Sequence, residues 1–152
     1  MALVKYNDRS IRDLTTTPTA AGGGGTGAIV HIKTLTASTS GTLSFVDGAD
    51  DVVLDSTYPI YKFEFINCHP QTNTQEFRFN MSIDAGSNYN VTKTTTTFTA
   101  SQDESAGNTG LAYASGSDLA QGTGFQALSV VTGNDNDAST SGELFLYSPS
   151  ST

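Results

Sequence analysis

The feature that most constrains this chain is a strict alternation of apolar and polar side chains in two neighbouring stretches. In residues 58–66, Tyr61, Phe63 and Phe65 fall on one side while Lys62 and Glu64 fall on the other. In residues 76–83, Phe77, Phe79, Met81 and Ile83 alternate with Glu76, Arg78, Asn80 and Ser82. Successive side chains of an extended strand point to opposite faces, so a period of two lets each segment bury one side of a sheet. A helix would scatter the same aromatics around its circumference. Both segments are therefore expected to be central strands that share a core.

Composition supports the same reading. The hydrophobic fraction is 36% and the charged fraction 14%, both below globular averages, and Ser, Thr, Asn and Gly fill the gap. Thr, branched at Cβ, suits a pleated strand, whereas the residues that build surface helices are scarce. Further strands are expected at residues 28–36, at 41–46 ending on the turn pair Asp47-Gly48, and at 52–54, 125–132 and 142–147. The Thr-rich stretch 91–100 reads as a solvated or edge strand. Residues 101–124, rich in Gly, Ser and acids apart from Leu111-Ala112-Tyr113 and Leu119, read as a long loop with one turn of helix. The expected fold is all-β, a single β-sandwich or jelly roll with an extended N-terminal arm.

The 152 residues fit one domain and an arm. Residues 1–27 contain four consecutive glycines, Gly22 to Gly25, which pack nothing and are costly to order. They divide the chain into an N-terminal docking arm with a Gly hinge, residues 1–27, and a β-sandwich domain, residues 28–152. Leu3, Val4, Tyr6, Ile11 and Leu14 are the arm's candidate docking residues. An edge strand on its own domain is the other use for that segment.

A net charge of -8 opposes phosphate backbones and anionic headgroups, so neither nucleic acid nor a membrane surface is an expected partner. No apolar run approaches the 18 or so residues of a membrane span. The opening residues lack the apolar stretch of a secretory signal, and a single cysteine rules out an internal disulfide framework. Folding in a cytoplasm is expected. A hydroxyl-coated, adhesin-like composition without an export signal is what a particle assembled inside a cell and acting outside it would show.

Little catalytic chemistry is legible. Cys68 and His69 are adjacent, but neighbours on an extended segment point to opposite sides, so Cys68-His69-Pro70 reads as a turn rather than a nucleophile and base. With only two histidines, the other being His31 on an expected solvent face, no zinc site is expected. Asn134-Asp135-Asn136-Asp137 offers oxygen ligands for a hard cation, although Asp135 and Asp137 suit a self-capping turn better. The glycine-rich 22–27 stretch lacks the Lys-Ser/Thr of a phosphate loop, so no cofactor is expected. A polysaccharide hydrolase would need an acid pair in a cleft usually lined by Trp, and there are 0 Trp. No catalytic or metal residue is assigned. Tyr58, Tyr61, Tyr89, Tyr113 and Tyr147 could stack on a sugar ring, and Tyr89 and Tyr113, expected in polar loops, are the first candidates for glycan or partner contact.

Several blocks carry a family resemblance: Leu3-Val4-Lys5-Tyr6-Asn7-Asp8-Arg9-Ser10-Ile11-Arg12, then Leu35-Thr36-Ala37-Ser38 through Gly41-Thr42-Leu43-Ser44-Phe45-Val46-Asp47-Gly48, and Val53-Leu54-Asp55-Ser56-Thr57-Tyr58. The likeness extends through Phe63 to Pro70 and returns at Phe98-Thr99-Ala100 and Gly124-Phe125-Gln126. Across most of its length the chain resembles virion-associated structural proteins of tailed phages of aquatic bacteria. The resemblance implies a non-enzymatic role in a tail fibre, near the baseplate or as a head-surface decoration. It transfers no catalytic residue. It also implies a further β-rich portion after the equivalent of Leu144-Phe145-Leu146-Tyr147-Ser148-Pro149. Expected partners are sister copies, as a homotrimer, other virion proteins, and host surface glycan if the chain is instead a carbohydrate-binding module. The expected location is the virion, assembled in the host cytoplasm.

Overall fold

A computed structural model describes residues 29–150. Leu3, Val4, Tyr6, Ile11, Leu14 and the glycine run lie outside that range. Residues 29–31 group with the N-terminal unit and are exposed, and every described strand belongs to the unit that begins at Ile32.

The chain is all-β, with no helix among the described residues. Its strands are β1 (Ile60–Cys68), β2 (Arg78–Phe79), β3 (Phe98–Gln102), β4 (Thr109–Tyr113), β5 (Gln126–Ala127) and β6 (Thr140–Tyr147). They pair two by two, all antiparallel: β1 with β6, β2 with β5 and β3 with β4. Segments between them continue the pairing irregularly. Below β1 and β6 the bridge Gln75↔Thr132 leads into β2 and β5, so residues 60–79 run alongside 126–147 as one interrupted ribbon. In the other ribbon, Ala114 donates to the Thr97 carbonyl at 2.8 Å, Thr95 to Leu119 at 2.8 Å, and Lys93 bridges Gly122.

The interruption has local causes. Register slips between Phe65 and Cys68, where Asn67 takes a left-handed φ of 52°. Pro70 then brings no N–H to a ladder, and Thr74 turns left-handed again at φ 58°. Phe65 and Phe77 nevertheless span the gap, their rings 4.6 Å apart.

The packed face of β1 is the one its alternation predicts. Tyr61, Phe63 and Phe65 turn inward and face Leu146, Leu144 and Gly142 across the ladder, while Lys62 and Glu64 turn outward. Phe45 meets Phe63 edge-on at 5.4 Å, and Tyr58 meets Tyr61 at 5.8 Å. The Tyr61 hydroxyl donates to the Asp55 carbonyl at 2.8 Å, so the phenol is buried without an orphaned polar atom. Gly142 is needed opposite Phe65, because a Cβ there would lie 2.7 Å from the ring. This core is small. Among the described residues the only buried hydrophobic side chains are Val52 and Tyr61, at 5% and 3% exposure.

Several expectations are corrected. Residues 29–36, 41–46 and 52–54 form no regular strand. Asp47-Gly48 does turn the chain, with Gly48 at φ 76°, but Ala49, Asp50 and Asp51 then fold back so that Val52 is buried without belonging to a strand. The strand expected at 76–83 is regular only at β2, because Asn80 diverts its amide to the Tyr89 and Thr123 carbonyls and a separate loop closes over residues 82–88. Regular pairing in 125–132 is likewise reduced to β5. The largest departure is at 101–124, expected as a loop with a helical turn. It contains the end of β3 and all of β4, joined by a turn whose amides converge on Asp103.

Candidate functional site

The β3–β4 ribbon is the most exposed ordered part of the described chain. Every residue of β4 is exposed, and in β3 only Thr99 is partly covered. Cross-strand pairing puts Phe98 opposite Tyr113 and Ala100 opposite Leu111. Directly opposed side chains share a face, so Phe98, Ala100, Leu111 and Tyr113 make one apolar face, with Phe98 at 68%, Leu111 at 78% and Tyr113 at 49% exposure. The other face carries Thr99, Ser101, Gly110 and Ala112.

The ladder also fixes which backbone groups are free. Ala114 bonds the Thr97 carbonyl and Asp103 the Asn108 carbonyl, so Thr97, Thr99, Ser101 and Asp103 direct their peptide groups into the ribbon. On β4 the residues that bond inward are Gly110 and Ala112, which leaves Thr109, Leu111 and Tyr113 presenting N–H and C=O along the outer edge. At the β3 edge lies an open cleft of about 450 Å3 with Phe98, Ala100, Leu128 and Val130 in its lining.

Where the ribbon joins the rest, Gln126 is buried at 5% exposure. Its amide nitrogen donates to the Ser117 carbonyl at 2.8 Å and to Thr97 Oγ1 at 3.2 Å, and its Oε1 accepts from Thr95 Oγ1 at 2.5 Å. Lys93, at 7% exposure, sits on neutral acceptors, Asn80 Oδ1 at 2.5 Å and the Val91 carbonyl at 2.8 Å. Burial lowers its pKa. Neither residue stands out in sequence, because each lies in a polar stretch and only the fold gives it an enclosed position.

The two tyrosines expected in loops have separate placements. Tyr89 is half-buried; its hydroxyl donates to Ser44 Oγ at 2.7 Å, and the ring lies over Gly86, where a Cβ would meet its Oη at 3.1 Å. That ring closes a loop. Tyr113 ends β4 rather than lying in a loop, with its ring 5.5 Å from Phe98 and its hydroxyl donating to Asp118. The structure does not bring the two rings together, since Tyr113 pairs with Phe98. A third exposed aromatic surface lies on the outer face of β1 and β6, where Phe145 and Tyr147 stand nearly parallel, 22° apart with centroids at 6.4 Å. Beside them Lys62 bonds Glu64 and Glu143, each at 2.6 Å, which holds together two carboxylates directly opposed across the ladder. These contacts raise the Lys62 pKa, the Glu143 bond most. This acid pair lies on an open face.

Cys68 is half-buried and burial pushes its thiol pKa up, the opposite of an activated nucleophile. His69 donates through Nε2 to the Asp135 carbonyl at 2.6 Å, across the interruption in the long ribbon. Asp135 and Asp137 are exposed, and among the described residues no group of three or more His, Cys, Asp or Glu is arranged to hold a metal ion. No described helix is long and apolar enough to cross a membrane. Comparisons with protein-family models, curated proteins and solved structures find no match to this chain.

Proposed function

We propose that this chain is a non-enzymatic structural component of a tailed-phage virion, in a tail fibre, near the baseplate or on the head surface, acting through assembly contacts. The observation that carries the reading is the mismatch between regular β-structure and core: of the described hydrophobic residues only Val52 and Tyr61 are buried, while Phe98, Leu111, Ile66 and Tyr147 face outward. A domain stabilised by its own interior hides such groups. One whose interior is completed by sister copies or neighbouring virion proteins leaves them open until it assembles. The expected β-sandwich is then a property of the assembly, formed when ribbons of separate chains face one another. The resemblance of the 35–48, 53–58 and 63–70 stretches to virion proteins supplies the setting.

The test is particle fractionation. Lysates of infected cells are separated on a density gradient and the chain is followed by peptide mass spectrometry. Co-migration with infectious particles in a fixed ratio to a major capsid protein is the expected result, and recovery only in the free-protein fractions would sink the proposal.

The paired rings of Phe145 and Tyr147 favour a second reading, a carbohydrate-binding module for bacterial surface glycan, since near-parallel exposed rings can cover the apolar face of a pyranose. In that case Tyr147→Ala and Phe145→Ala each weaken binding to purified host surface polysaccharide by tenfold or more. An architectural subunit shows no saturable binding to lose.

A further inference from the structure

We propose that β4 is a self-complementary edge, and that two copies of this chain join through it across a twofold axis, making one continuous antiparallel sheet in the order β3, β4, partner β4, partner β3. Three independent observations converge on it. A two-stranded hairpin is marginal by itself in water, yet among the described residues no other strand packs on β3 or β4; the ribbon is tied to the rest at its base, through Gln126. The outer edge of β4 has none of the devices that keep edges apart: Thr109–Tyr113 contains no Lys, no Pro and no bulge. Charge points to the same place. Two copies of a chain with net charge -8 repel least where charge is sparse, and neither β3 nor β4 carries a charged side chain, the Asp118 carboxylate on the Tyr113 hydroxyl being a neighbour outside the strands. The β1–β6 ribbon, in contrast, has Lys62, Glu64 and Glu143 on its outer face.

The geometry also sets the register. Thr109, Leu111 and Tyr113 direct their peptide groups outward, so the symmetric pairing that uses all three places Leu111 against Leu111 of the partner subunit, exchanging two backbone hydrogen bonds. Thr109 then faces Tyr113 of the partner subunit. The apolar face of each ribbon becomes half of a four-stranded one, with Phe98, Ala100, Leu111 and Tyr113 from both copies in a single band. Such a contact is isologous and closes on itself, so it uses the open edges of two chains without leaving a new one at the join.

The inference rests on the assembly reading for its meaning, but its test stands apart. Two residues facing each other in a hydrogen-bonded antiparallel pair have Cα atoms about 5.5 Å apart, within disulfide range. In the full chain carrying Cys68→Ser, Leu111→Cys is expected to form a disulfide-linked dimer in high yield under mild oxidation. Glu104→Cys at the hairpin tip, in the same background, should remain unlinked. Sedimentation of the unmodified chain should give an even number of copies, and Leu111→Pro, which removes an outward N–H and no intrachain bond, should halve the mass while keeping the far-ultraviolet strand signal. A monomeric unmodified chain, equal linking at positions 104 and 111, or a mass that grows without limit through head-to-tail pairing would each overturn the contact. If the chain cofractionates with particles but fails these assays, this edge is wrong and the virion reading stands. The reverse pattern removes the virion reading alone.

Discussion

The β1–β6 and β3–β4 ribbons share one ladder geometry, and their surroundings differ sharply. Both are antiparallel, the first with one register slip between Phe65 and Cys68, and both carry aromatic pairs. In the first, Tyr61 and Phe63 close against Tyr58 and Phe45, and Tyr61 is buried. In the second, Phe98 and Tyr113 touch each other and stay largely open, with only the Tyr113 hydroxyl tied down, to Asp118. Backbone hydrogen bonds exchange for bonds to water at little net gain, whereas a buried aromatic contributes roughly 1.5–3 kcal/mol. Stability therefore resides in the β1–β6 side, and the β3–β4 ribbon is a surface that the fold holds out for contact.

The widest separation between the ribbons is expected from aromatic truncation. Tyr61→Ala removes the most enclosed side chain of the small core and its bond to Asp55; the expected cost is about 3 kcal/mol, at the low end for buried aromatics because the cluster is only partly enclosed. Phe98→Ala, made in the monomeric Leu111→Pro background, should cost no more than about 0.5 kcal/mol. Urea unfolding of both variants checks the pair. Equal losses would mean that the β3–β4 ribbon is packed within the single chain, which removes the contrast.

Next in size is a glycine comparison, one residue from each ribbon. At Gly142 a Cβ would lie 2.7 Å from the Phe65 ring, so the ring or the strand must move, and Gly142→Ala is expected to lower stability by about 1–3 kcal/mol. At Gly110 the nearest atom to an added Cβ is Ser101 Oγ at 3.9 Å. Gly110→Ala meets ordinary contact and reduces the freedom of the unfolded chain, so a change between zero and a gain of about 1 kcal/mol is expected. Thermal unfolding midpoints of the two variants should move in opposite directions or, at Gly110, stay still.

What the sequence reveals of this contrast depends on period. The alternation of Tyr61, Phe63 and Phe65 against Lys62 and Glu64 identifies both the strand and its inward face, because those residues repeat along most of β1. The second alternating stretch marks apolar content but overstates the strand, since Asn80 bonds two backbone carbonyls from separate segments, Tyr89 and Thr123, an effect no local pattern records. β4 is hidden for a different reason: Thr109, Gly110 and Ala112 resemble loop residues, and only Leu111 and Tyr113, two apart, mark a strand face. The turn before it was legible in principle, as Asp103 through Asn108 has the Asp, Ser, Gly and Asn of a self-capping loop. Gln126 and Lys93 gain their enclosed positions from partners far along the chain, Thr95, Thr97 and Ser117 for the first and Asn80 and Gly122 for the second.

The smallest expected effect is one of acidity, and it separates the tips of two loops from the core. Asp84 accepts bonds from Ser82 Oγ, the Asn88 amide and the Asn88 side chain, and these hold its pKa down to about 2, with the Ser82 bond contributing most. Asp103 plays the same part in the β3–β4 turn for Asn108, Ser105 and Gly107, and the Asn108 side chain is the main cause of its lowered pKa. A carboxyl that is more acidic folded than unfolded adds stability above its ordinary value, here 3.8, and loses that contribution as pH falls below it and the folded form takes up its proton. Between about pH 4 and pH 2 both loops should therefore loosen while the ring packing of Tyr61 on Tyr58 keeps most of its near-ultraviolet signal, less the share that depends on the Asp55 carboxyl, whose pKa is lowered chiefly by Thr57 and in smaller part by Tyr61. Carboxyl carbon shifts followed by NMR should place the Asp84 midpoint near 2 and that of Asp103 below the ordinary value. An Asp103 midpoint at the ordinary value would show that its turn is not formed in solution, and with it would go the hairpin that presents β4 to a second copy.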